Sequence, residues 1–325
     1  MKKYTVRPYE SDDYKIWNSF LPTAKNATFL FHRDFMEYHK DRFDDFSLLV
    51  FDDKKLVALL PANKKEATVY SHQGLTYGGL VYGEFLKPDV IITIFKCLLE
   101  FLEAQGIKTL HVKSLPFIYH LKPAQEIEYA LFLAEARLIR RDALSVIDMS
   151  QQPNYSGSRR EGVRKGISFG LEIREETDLS EFWDKILIPN LLKKHAAKPV
   201  HTLSEITGLK ASFPDNIRQF NVYHNHEIIG GTTIFESDRV AHVQYISADE
   251  TKSQTGSLDF LHDYLLRNIF KDKSFFDFGI SNEDNGKKFN KGLAFWKSGF
   301  GSGIVTQDFY EVDTQNHVKL ENVFK

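Results

Sequence analysis

The sequence predicts an α/β (α+β) fold in two consecutive domains, residues 1–150 and 151–325, with a boundary near the polar segment 151–158. The first observation is length, because 325 residues are many for one hydrophobic core and suit two. The second is composition, since 42% hydrophobic and 26% charged residues are typical of a folded globular chain. The third is that strand-like and helix-like runs follow in the same order in both halves.

In the first half, Pro88 and Gly106 bracket a long amphipathic helix, and Asp52–Lys55 separates two apolar runs as a hairpin turn. Apolar periodicity assigns the other elements. In order, the sequence predicts the strand KYTVRPY, the helices SDDYKIWNSFL and FHRDFMEYHKDRF, the hairpin FSLLVFDDKKLVALLPA, the strand candidates ATVYSHQ and LTYGGLVYG, the helix KPDVIITIFKCLLEFLEAQG, the strand TLHVKSLP, the helix PAQEIEYALFLAEARLI and the strand DALSVIDMS.

The second half has a similar series of elements, with Asn225 in the turn of its hairpin. In order, the sequence predicts the strand LEIREE, the helix LSEFWDKILIPNLLKKH, the segment LSEITGLKASF, the hairpin IRQFNVYHNHEIIGGTTIFE, the strand RVAHVQYIS, the helix that follows TGS, the strand SFFDFGIS, the helix-like NGKKFNKGLAFWKSGF and the strand IVTQDFYEVD. The two hairpins, residues 49–63 and 220–234, align at an offset of 171 or 172. A repeated order of elements indicates a duplicated domain.

Charge and cysteine content limit the classes of function. The net charge of −2 provides no global basic field for DNA. Cys97 is the single cysteine, which excludes an internal disulfide and a zinc site built on cysteines, and its apolar surroundings predict a core position. The first residues lack the apolar segment of a signal peptide, and no run approaches about 18 apolar residues. We therefore expect a cytoplasmic enzyme or binding protein.

The turn Thr255-Gly256-Ser257 lies between a strand and an amphipathic helix. Unpaired backbone N–H groups and the positive end of the helix dipole suit a phosphate there, with Lys252 as an added charge. An ordinary helix cap without a ligand is the alternative.

Further candidates are histidine, lysine and arginine residues in two basic segments of the second half. His201 follows a basic loop that also carries Lys198, and a histidine there can accept a proton near neutral pH, so we prefer it as general base. A metal site is not expected, because the nearby His195 lacks helical i, i+4 spacing to it. Arg160 and Arg164 are four residues apart and share a face if their segment is helical; such a pair suits a phosphate or carboxylate, and a solvated helix face is the alternative.

Several segments resemble bacterial tandem-GNAT, FemAB-like proteins that are often associated with surface-polysaccharide biosynthesis: SHQGLTYGGLVYG, KPVHTLSEI, AHVQYISADE and FFDFGISNEDNGKKFNKGLAFWKSGFG. The resemblance covers nearly the whole chain. It implies two tandem GNAT-like domains, each with a mixed, mostly antiparallel sheet flanked by helices, and acyl-CoA as co-substrate without a metal.

The donor loop of such acetyltransferases reads Arg/Gln-x-x-Gly-x-Gly/Ala, and this sequence departs from it. One register places Lys252, Thr255 and Ser257 at the key positions, and the other places Thr251, Gln254 and Gly256 there. Because backbone N–H groups bind phosphate, the departure leaves phosphate binding intact. The corresponding place in the first half, GEFLKPDV, has Pro88, which lacks an N–H. We infer that only the second domain binds the donor.

The resemblance also implies roles for single residues. It places His72 and Tyr77 near an acceptor cleft between the domains, where they would contact substrate, and it assigns Arg160 and Arg164 to a phosphorylated glycan precursor. Its strand beside the acyl thioester corresponds to VAHVQYIS, whose alternation allows Gln244 or Tyr245, but not both, to face the site. Lys297 resembles a lysine that stabilises the oxyanion of the reacting carbonyl.

The leading hypothesis is therefore an acyltransferase that moves an acyl group, first of all acetyl, from acyl-CoA directly to an amine or hydroxyl of a sugar or cell-envelope precursor. No Gly-x-Ser-x-Gly elbow marks a covalent nucleophile. Two alternatives stay open: a FemAB-type ligase with aminoacyl-tRNA as donor, and a binding protein with a degenerate donor loop.

Overall fold

The computed structural model describes residues 4–325, except for the side chain of His195. Two compact units make up the chain. Unit 1 contains the described residues up to Asp142 together with Thr306–Lys325, and unit 2 contains Ala143–Val305. The sequence placed Thr306–Lys325 in the second domain, whereas the structure places this segment in unit 1.

Unit 1 consists mainly of short strands and a few helices. Its strands are β1 (Thr5–Pro8), β2 (Asp44–Asp45), β3 (Leu48–Asp52), β4 (Lys55–Leu60), β5 (Asn63–Lys65), β6 (Thr68–Tyr70), β7 (Val81–Tyr82) and β8 (Thr109–Lys113). Its helices are α1 (Tyr14–Phe20), α2 (Arg33–Met36), α3 (Pro88–Ala104) and α4 (Glu126–Leu133). The next strand, β9 (Arg137–Asp148), begins in unit 1 and ends in unit 2.

Unit 2 has longer strands and more helices. Its helices are α5 (Gly157–Ser168), α6 (Ser180–Phe182), α7 (Ile188–His195), α8 (Leu203–Ser212), α9 (Lys252–Thr255), α10 (Ser257–Tyr264) and α11 (Lys291–Ser298). A π-helical turn follows α6 at Trp183–Leu187, and another follows α10 at Leu265–Ile269. The strands are β10 (Glu172–Glu176), β11 (Ile217–His224), β12 (Glu227–Glu236), β13 (Val240–Ala248), β14 (Phe275–Ile280), β15 (Asn282–Glu283), β16 (Lys288–Phe289) and β17 (Gly303–Asp313), which ends in unit 1.

In unit 1, an antiparallel sheet has the order β1-β3-β4-β7, and the other strands pair in the order β17-β8-β6-β5-β2 with only β6 and β8 parallel. The apolar face of α3 packs into the core through residues such as Ile91, Phe95 and Leu98. Val312 of β17 and Leu320 belong to the same core. This packing explains why the last 20 residues belong to unit 1.

The strands of unit 2 follow the order β10-β11-β12-β13-β14-β9, and only β13 and β14 run parallel. Leu261 and Leu265 lie on the apolar stripe of α10 and its π-turn, and they pack with Phe220 and Phe276 in the core. Two glycines of α5 allow α10 to lie close to it. A β-carbon on Gly162 would meet the Asp259 side chain at 1.8 Å, and one on Gly166 would meet Phe260 at 2.4 Å.

The parallel ladder between β13 and β14 is short. It joins Val240–His242 to Phe275–Asp277 and then ends, so residues 243–248 of β13 continue without a β14 partner. On the other side, the register of β13 with β12 shifts between Thr233 and Ile234. Because Thr233 pairs with Tyr245 and Ile234 with Val243, Gln244 is the extra residue of a β-bulge.

Most predicted elements are present, including both hairpins and the helix after Pro88. The prediction of a helix over PAQEIEYALFLAEARLI was wrong at its end. Helix α4 stops at Leu133, Glu135 adopts a φ of 52°, and Arg137 already begins β9. Only Val81–Tyr82 of LTYGGLVYG is a strand. Among residues 4–325, no helix is both long and apolar enough to cross a bilayer.

Candidate functional site

Unit 2 contains a cavity of about 650 Å³ at the end of β13. This volume is in the range of small-molecule sites. Four basic side chains line it, Arg159, Lys165, Lys194 and Lys252, against two acidic ones, Glu161 and Asp259. A cavity with this surplus of positive charge suits an anionic ligand.

The cations are not all compensated by carboxylates. Partial burial, followed by the charge of Lys194, lowers the pKa of Lys252. The Lys165 ammonium donates to the Ser253 carbonyl oxygen at 3.4 Å, which contributes no formal charge. A phosphate in the cavity would therefore relieve the repulsion between Lys252 and Lys194.

Arg159 is held at the cavity wall by Asp259 and by aromatic rings. Its guanidinium pairs with Asp259, and its centre lies 5.9 Å from the Trp296 ring. The Trp296 indole N–H donates to the same carboxylate at 2.8 Å. Burial raises the pKa of Asp259, while the charge of Arg159 opposes that shift. The buried Nε of Arg159 has no hydrogen-bond partner among the described residues.

The N-terminus of α10 opens into the cavity, because Gly256 and Leu258 line it. Gly256 has a φ of 69° and separates α9 from α10, and no side chain caps α10. A β-carbon on Gly256 would lie 2.0 Å from the carbonyl oxygen of Gly162. Glycine is therefore required here both by the backbone conformation and by the close approach of α5.

The other residues predicted in the donor loop occupy different environments. Lys252 lines the cavity together with Gly256, whereas Gln254, Thr255 and Ser257 are not part of its wall. The Thr255 hydroxyl donates to the Thr251 carbonyl at 3.1 Å. The Ser257 hydroxyl is buried without a partner among the described residues. Donor binding by these residues stays a prediction.

His201 and Tyr245 form a buried pair away from the cavity wall. The His201 Nδ1 lies 2.6 Å from the Tyr245 hydroxyl oxygen, which also accepts the His201 backbone N–H at 3.2 Å. Burial, which outweighs the hydrogen bonds from His201 and Gln244, raises the pKa of Tyr245 to about 12. The bulge at Gln244 interrupts the alternation on which the choice between Gln244 and Tyr245 rests, so which of the two faces the site stays a prediction.

Lys297 is buried at the end of β14. Its ammonium donates to the carbonyl oxygens of Gly279 at 3.0 Å and Ile280 at 2.6 Å. Burial lowers the pKa of Lys297 to about 8, and the nearby charge of Asp277 opposes the shift. Asp277 itself accepts the Gly279 N–H at 2.7 Å and lies 2.9 Å from the His242 Nδ1.

The basic segment is helical over Gly157–Ser168, and neither Arg160 nor Arg164 lines the cavity. Arg160 donates to the Tyr155 carbonyl at 2.6 Å, and Arg164 is an exposed residue 3.6 Å from Glu161. Arg159 and Lys165 line the cavity instead. Lys198 is exposed.

His72 and Tyr77 lie buried in unit 1. His72 stacks on His39 with ring centroids 5.3 Å apart, and burial lowers the pKa of His72 to about 3. The Tyr77 hydroxyl donates to the Thr28 hydroxyl oxygen at 3.0 Å. Their contact with substrate stays a prediction.

Within the described part of the chain, one group of side chains has the spacing of metal ligands: Glu100, His317 and Glu321 of unit 1. The Lys96 ammonium lies 3.0 Å from Glu100 and 3.4 Å from Glu321, so a cation of the protein already pairs with both carboxylates.

Sequence reasoning missed Arg159, Lys194 and Asp259 as cavity residues. The spacing of Gly162 and Gly166 was the available signal, because small residues at i and i+4 mark the helix face that contacts another helix. Arg159 and Lys165 are three residues from Gly162 on either side, so they flank that face.

Neither a protein-family model nor a curated protein matches the sequence. Several solved structures share its fold. FemX has a TM-score of 0.67 and 9% identity, covering 98% of this chain and 99% of that one. L-PGS from Bacillus licheniformis has a TM-score of 0.59 and 10% identity, covering 93% and 91%. A tandem GNAT protein from the clavulanic acid biosynthesis pathway has a TM-score of 0.52 and 12% identity, covering 96% and 99%. The predicted tandem GNAT-like, FemAB-like fold is confirmed, and at these identities the similarity concerns the fold alone.

Proposed function

We propose that the protein is an acyltransferase that moves an acyl group from acyl-CoA to an amine or hydroxyl of a sugar or cell-envelope precursor. Acetyl is the first candidate for the acyl group. The observation that carries the proposal is the cavity of unit 2, where Arg159, Lys165, Lys194 and Lys252 surround the N-terminus of α10. Helix N-termini and clustered cations are the two common means of binding phosphate. Phosphates of the donor would bind here.

The open edge of β13 supports a donor with an extended, amide-bearing arm. Residues 243–248 have no β14 partner, and Ile246, Ser247 and Ala248 of this stretch line the cavity. Unpaired strand edges bind extended chains through backbone hydrogen bonds. The pantetheine arm of CoA carries two amides and suits this edge.

Direct transfer is the proposed chemistry, since the single cysteine, Cys97, lies in α3 of unit 1 rather than at the cavity. Lys297 is the proposed group that stabilises the oxyanion, because a buried ammonium near the end of β14 acts in a low-dielectric environment. The predicted role of His201 as general base remains a hypothesis, as do the acceptor contacts of His72, Tyr77, Arg160, Arg164 and Lys198. Unit 1 is proposed to serve the acceptor.

Aminoacyl-tRNA is the second candidate donor. The similarity in fold to FemX, at a TM-score of 0.67, favours it. The peptidoglycan-bridge ligases of the FemAB-like family, which this sequence resembles, use that donor. The basic cavity residues suit the phosphates of either donor. The two are distinguished by salt: binding through many phosphates of an RNA weakens steeply as salt rises.

Thermal unfolding with and without ligand tests the proposal. Acetyl-CoA at about 100 times its Kd should stabilise the folded state by about 2.7 kcal/mol and raise the melting temperature. Unacylated tRNA is the probe for the second donor. A shift with acetyl-CoA supports the first donor, and salt-sensitive binding of tRNA alone supports the second. No shift with acetyl-CoA, longer acyl-CoAs or tRNA would contradict the proposed function.

A further inference from the structure

Acyl transfer to an amine or hydroxyl requires a group that takes a proton from the acceptor. We infer that His242, oriented by Asp277, is that group. This inference rests on the proposed function, and it assigns the role to a residue other than His201.

His242 and Asp277 form a hydrogen-bonded pair. Asp277 is fully buried on β14, and its two oxygens accept from the Gly279 N–H at 2.7 Å and from the His242 Nδ1 at 2.9 Å. A carboxylate accepts hydrogen bonds, so it fixes the tautomer with the proton on Nδ1 and the lone pair on Nε2. The hydrogen bond that the structure shows for this ring is the one at Nδ1. The ring is thus oriented in the way that suits a general base.

The pair lies at one end of the open edge of β13. His242 and Asp277 form the last residue pair of the parallel ladder, at the point where β13 and β14 separate. The cavity lies at the other end of the open edge, at Ile246–Ala248. From His242 to Ala248, the strand spans about 20 Å at roughly 3.3 Å per residue. A donor with its phosphates in the cavity and its arm along this edge would bring its far end towards His242.

A buried lysine, Lys297, lies near the pair. The Lys297 ammonium bonds to the carbonyls of Gly279 and Ile280, next to the turn that holds Asp277. Two of its three N–H groups are used, which leaves one for a developing oxyanion. A base and a cation therefore lie at the same end of the opening. His201 is buried like His242, but its Nδ1 lies against the Tyr245 hydroxyl rather than a carboxylate.

The acceptor nitrogen or oxygen attacks the thioester carbonyl carbon, and its proton passes to the His242 Nε2. The new carbon–nitrogen or carbon–oxygen bond forms as the carbon–sulfur bond breaks. The thiolate leaves and takes a proton from solvent, while His242 returns its proton to solvent.

The experiment uses the full chain with acetyl-CoA and glucosamine, or water where glucosamine is not an acceptor, and measures release of free thiol. For His242→Ala, we expect kcat to fall by about 100-fold or more with unchanged binding of acetyl-CoA. Added imidazole should restore part of the rate. Asp277→Asn should lower kcat by a similar or smaller factor, again without a change in acetyl-CoA binding. His224→Ala, a change on β11 outside the pair, is the matched control and should retain full turnover.

The outcomes separate the two proposals. If wild type binds no acetyl-CoA and releases no thiol, acetyl-CoA fails as the proposed donor before the variants are compared. If wild type turns over and His242→Ala stays within about threefold of it, or folds and binds acetyl-CoA but is not rescued by imidazole, the role of His242 is overturned. A turnover loss confined to His201→Ala would return the role to His201. His242→Gln serves where the alanine variant does not fold, and it is expected to lose turnover while still binding acetyl-CoA.

Discussion

At the scale of single residues, Lys252 is the link between the predicted donor loop and the observed cavity. It is the one charged side chain of the loop that lines the cavity. Partial burial and the charge of Lys194 lower the pKa of Lys252, which means that they disfavour its protonated, charged form. A bound anion would stabilise the charged form of such a lysine more than that of a lysine without a cationic neighbour.

We predict that Lys252→Ala weakens acetyl-CoA binding about tenfold, or by about 1.4 kcal/mol, because one charge-assisted contact to phosphate is lost. Titration calorimetry at two salt concentrations measures the Kd for acetyl-CoA. The difference in binding free energy between the variant and the wild type should become smaller at high salt. The exposed Lys271 provides the control, since Lys271→Ala changes the net charge equally but lies outside the cavity. Equal weakening in both variants would indicate a general charge effect and contradict a phosphate contact at Lys252.

Lys297 provides a prediction about pH and stability. Burial lowers its pKa in the folded state from 10.5 to about 8. Between these two values the unfolded state binds more protons than the folded state, so the stability of the wild type rises with pH in this window. The free energy of unfolding of the wild type, compared with that of Lys297→Met, should rise by up to about 3 kcal/mol between pH 7.5 and 10.5.

Urea unfolding of both proteins at pH 7.5, 9 and 10.5 measures this difference. Parallel stability curves for the two proteins would show that Lys297 does not change its protonation on folding in that range. The control is Lys271→Met, which should follow the wild type at every pH because Lys271 is exposed.

At the scale of elements, the contact between α5 and α10 fixes the position of the turn at the cavity. Gly256 adopts a left-handed backbone and lies against the Gly162 carbonyl, so a side chain meets backbone atoms that cannot rotate away. Stability and the proposed donor binding are therefore coupled at this glycine.

We predict that Gly256→Ala destabilises the protein by at least about 2 kcal/mol, because strain and overpacking add up. Thermal unfolding measures the loss. Gly208 of α8 is the control, since nothing lies within 4 Å of an added β-carbon there. Gly208→Ala should leave the free energy of unfolding unchanged or raise it by up to about 1 kcal/mol, because alanine has the higher helix propensity. A Gly256→Ala protein as stable as the wild type would contradict the close helix contact.

The elements also show how far sequence reasoning extends. Capping and periodicity located α3 and both hairpins, because their signals are local. Local signals failed at the end of α4, where the apolar pattern of LAEARLI (133–139) also fits the strand that begins at Arg137. The bulge at Gln244 and the pair His242–Asp277 depend on register between distant segments, which one sequence does not specify. Arg159 was missed at the cavity for the same reason, since its place depends on how α5 packs against α10.

At the scale of the whole molecule, the division of the chain does not follow the order of the sequence. Strand β17 pairs with β8 from Phe309↔Lys113 to Asp313↔Thr109, and Leu320 completes the core of unit 1. A division at residue 150 would therefore separate unit 1 from one of its own strands.

We predict that removal of residues 306–325 abolishes the cooperative unfolding of unit 1, because it uncovers the edge of β8 and leaves a cavity where Val312 and Leu320 were. Hydrogen exchange measures it: the amides of β8 should lose their protection. Removal of only Phe324 and Lys325, both exposed, is the control and should leave that protection unchanged. Full protection of β8 in the shorter protein would contradict the assignment of β17 to unit 1.

The path of β17 also determines when unit 1 is able to finish folding during synthesis. The ribosome produces β8 first and then all of unit 2 before the partner strand at 306–313 emerges. For that interval, which is on the order of 10–40 s at about 5–20 residues per second, unit 1 has an unpaired strand edge. Nascent chains would then depend on chaperones or on slow translation more at this stage than after release, and a crowded polysome is where unwanted strand pairing between copies would begin.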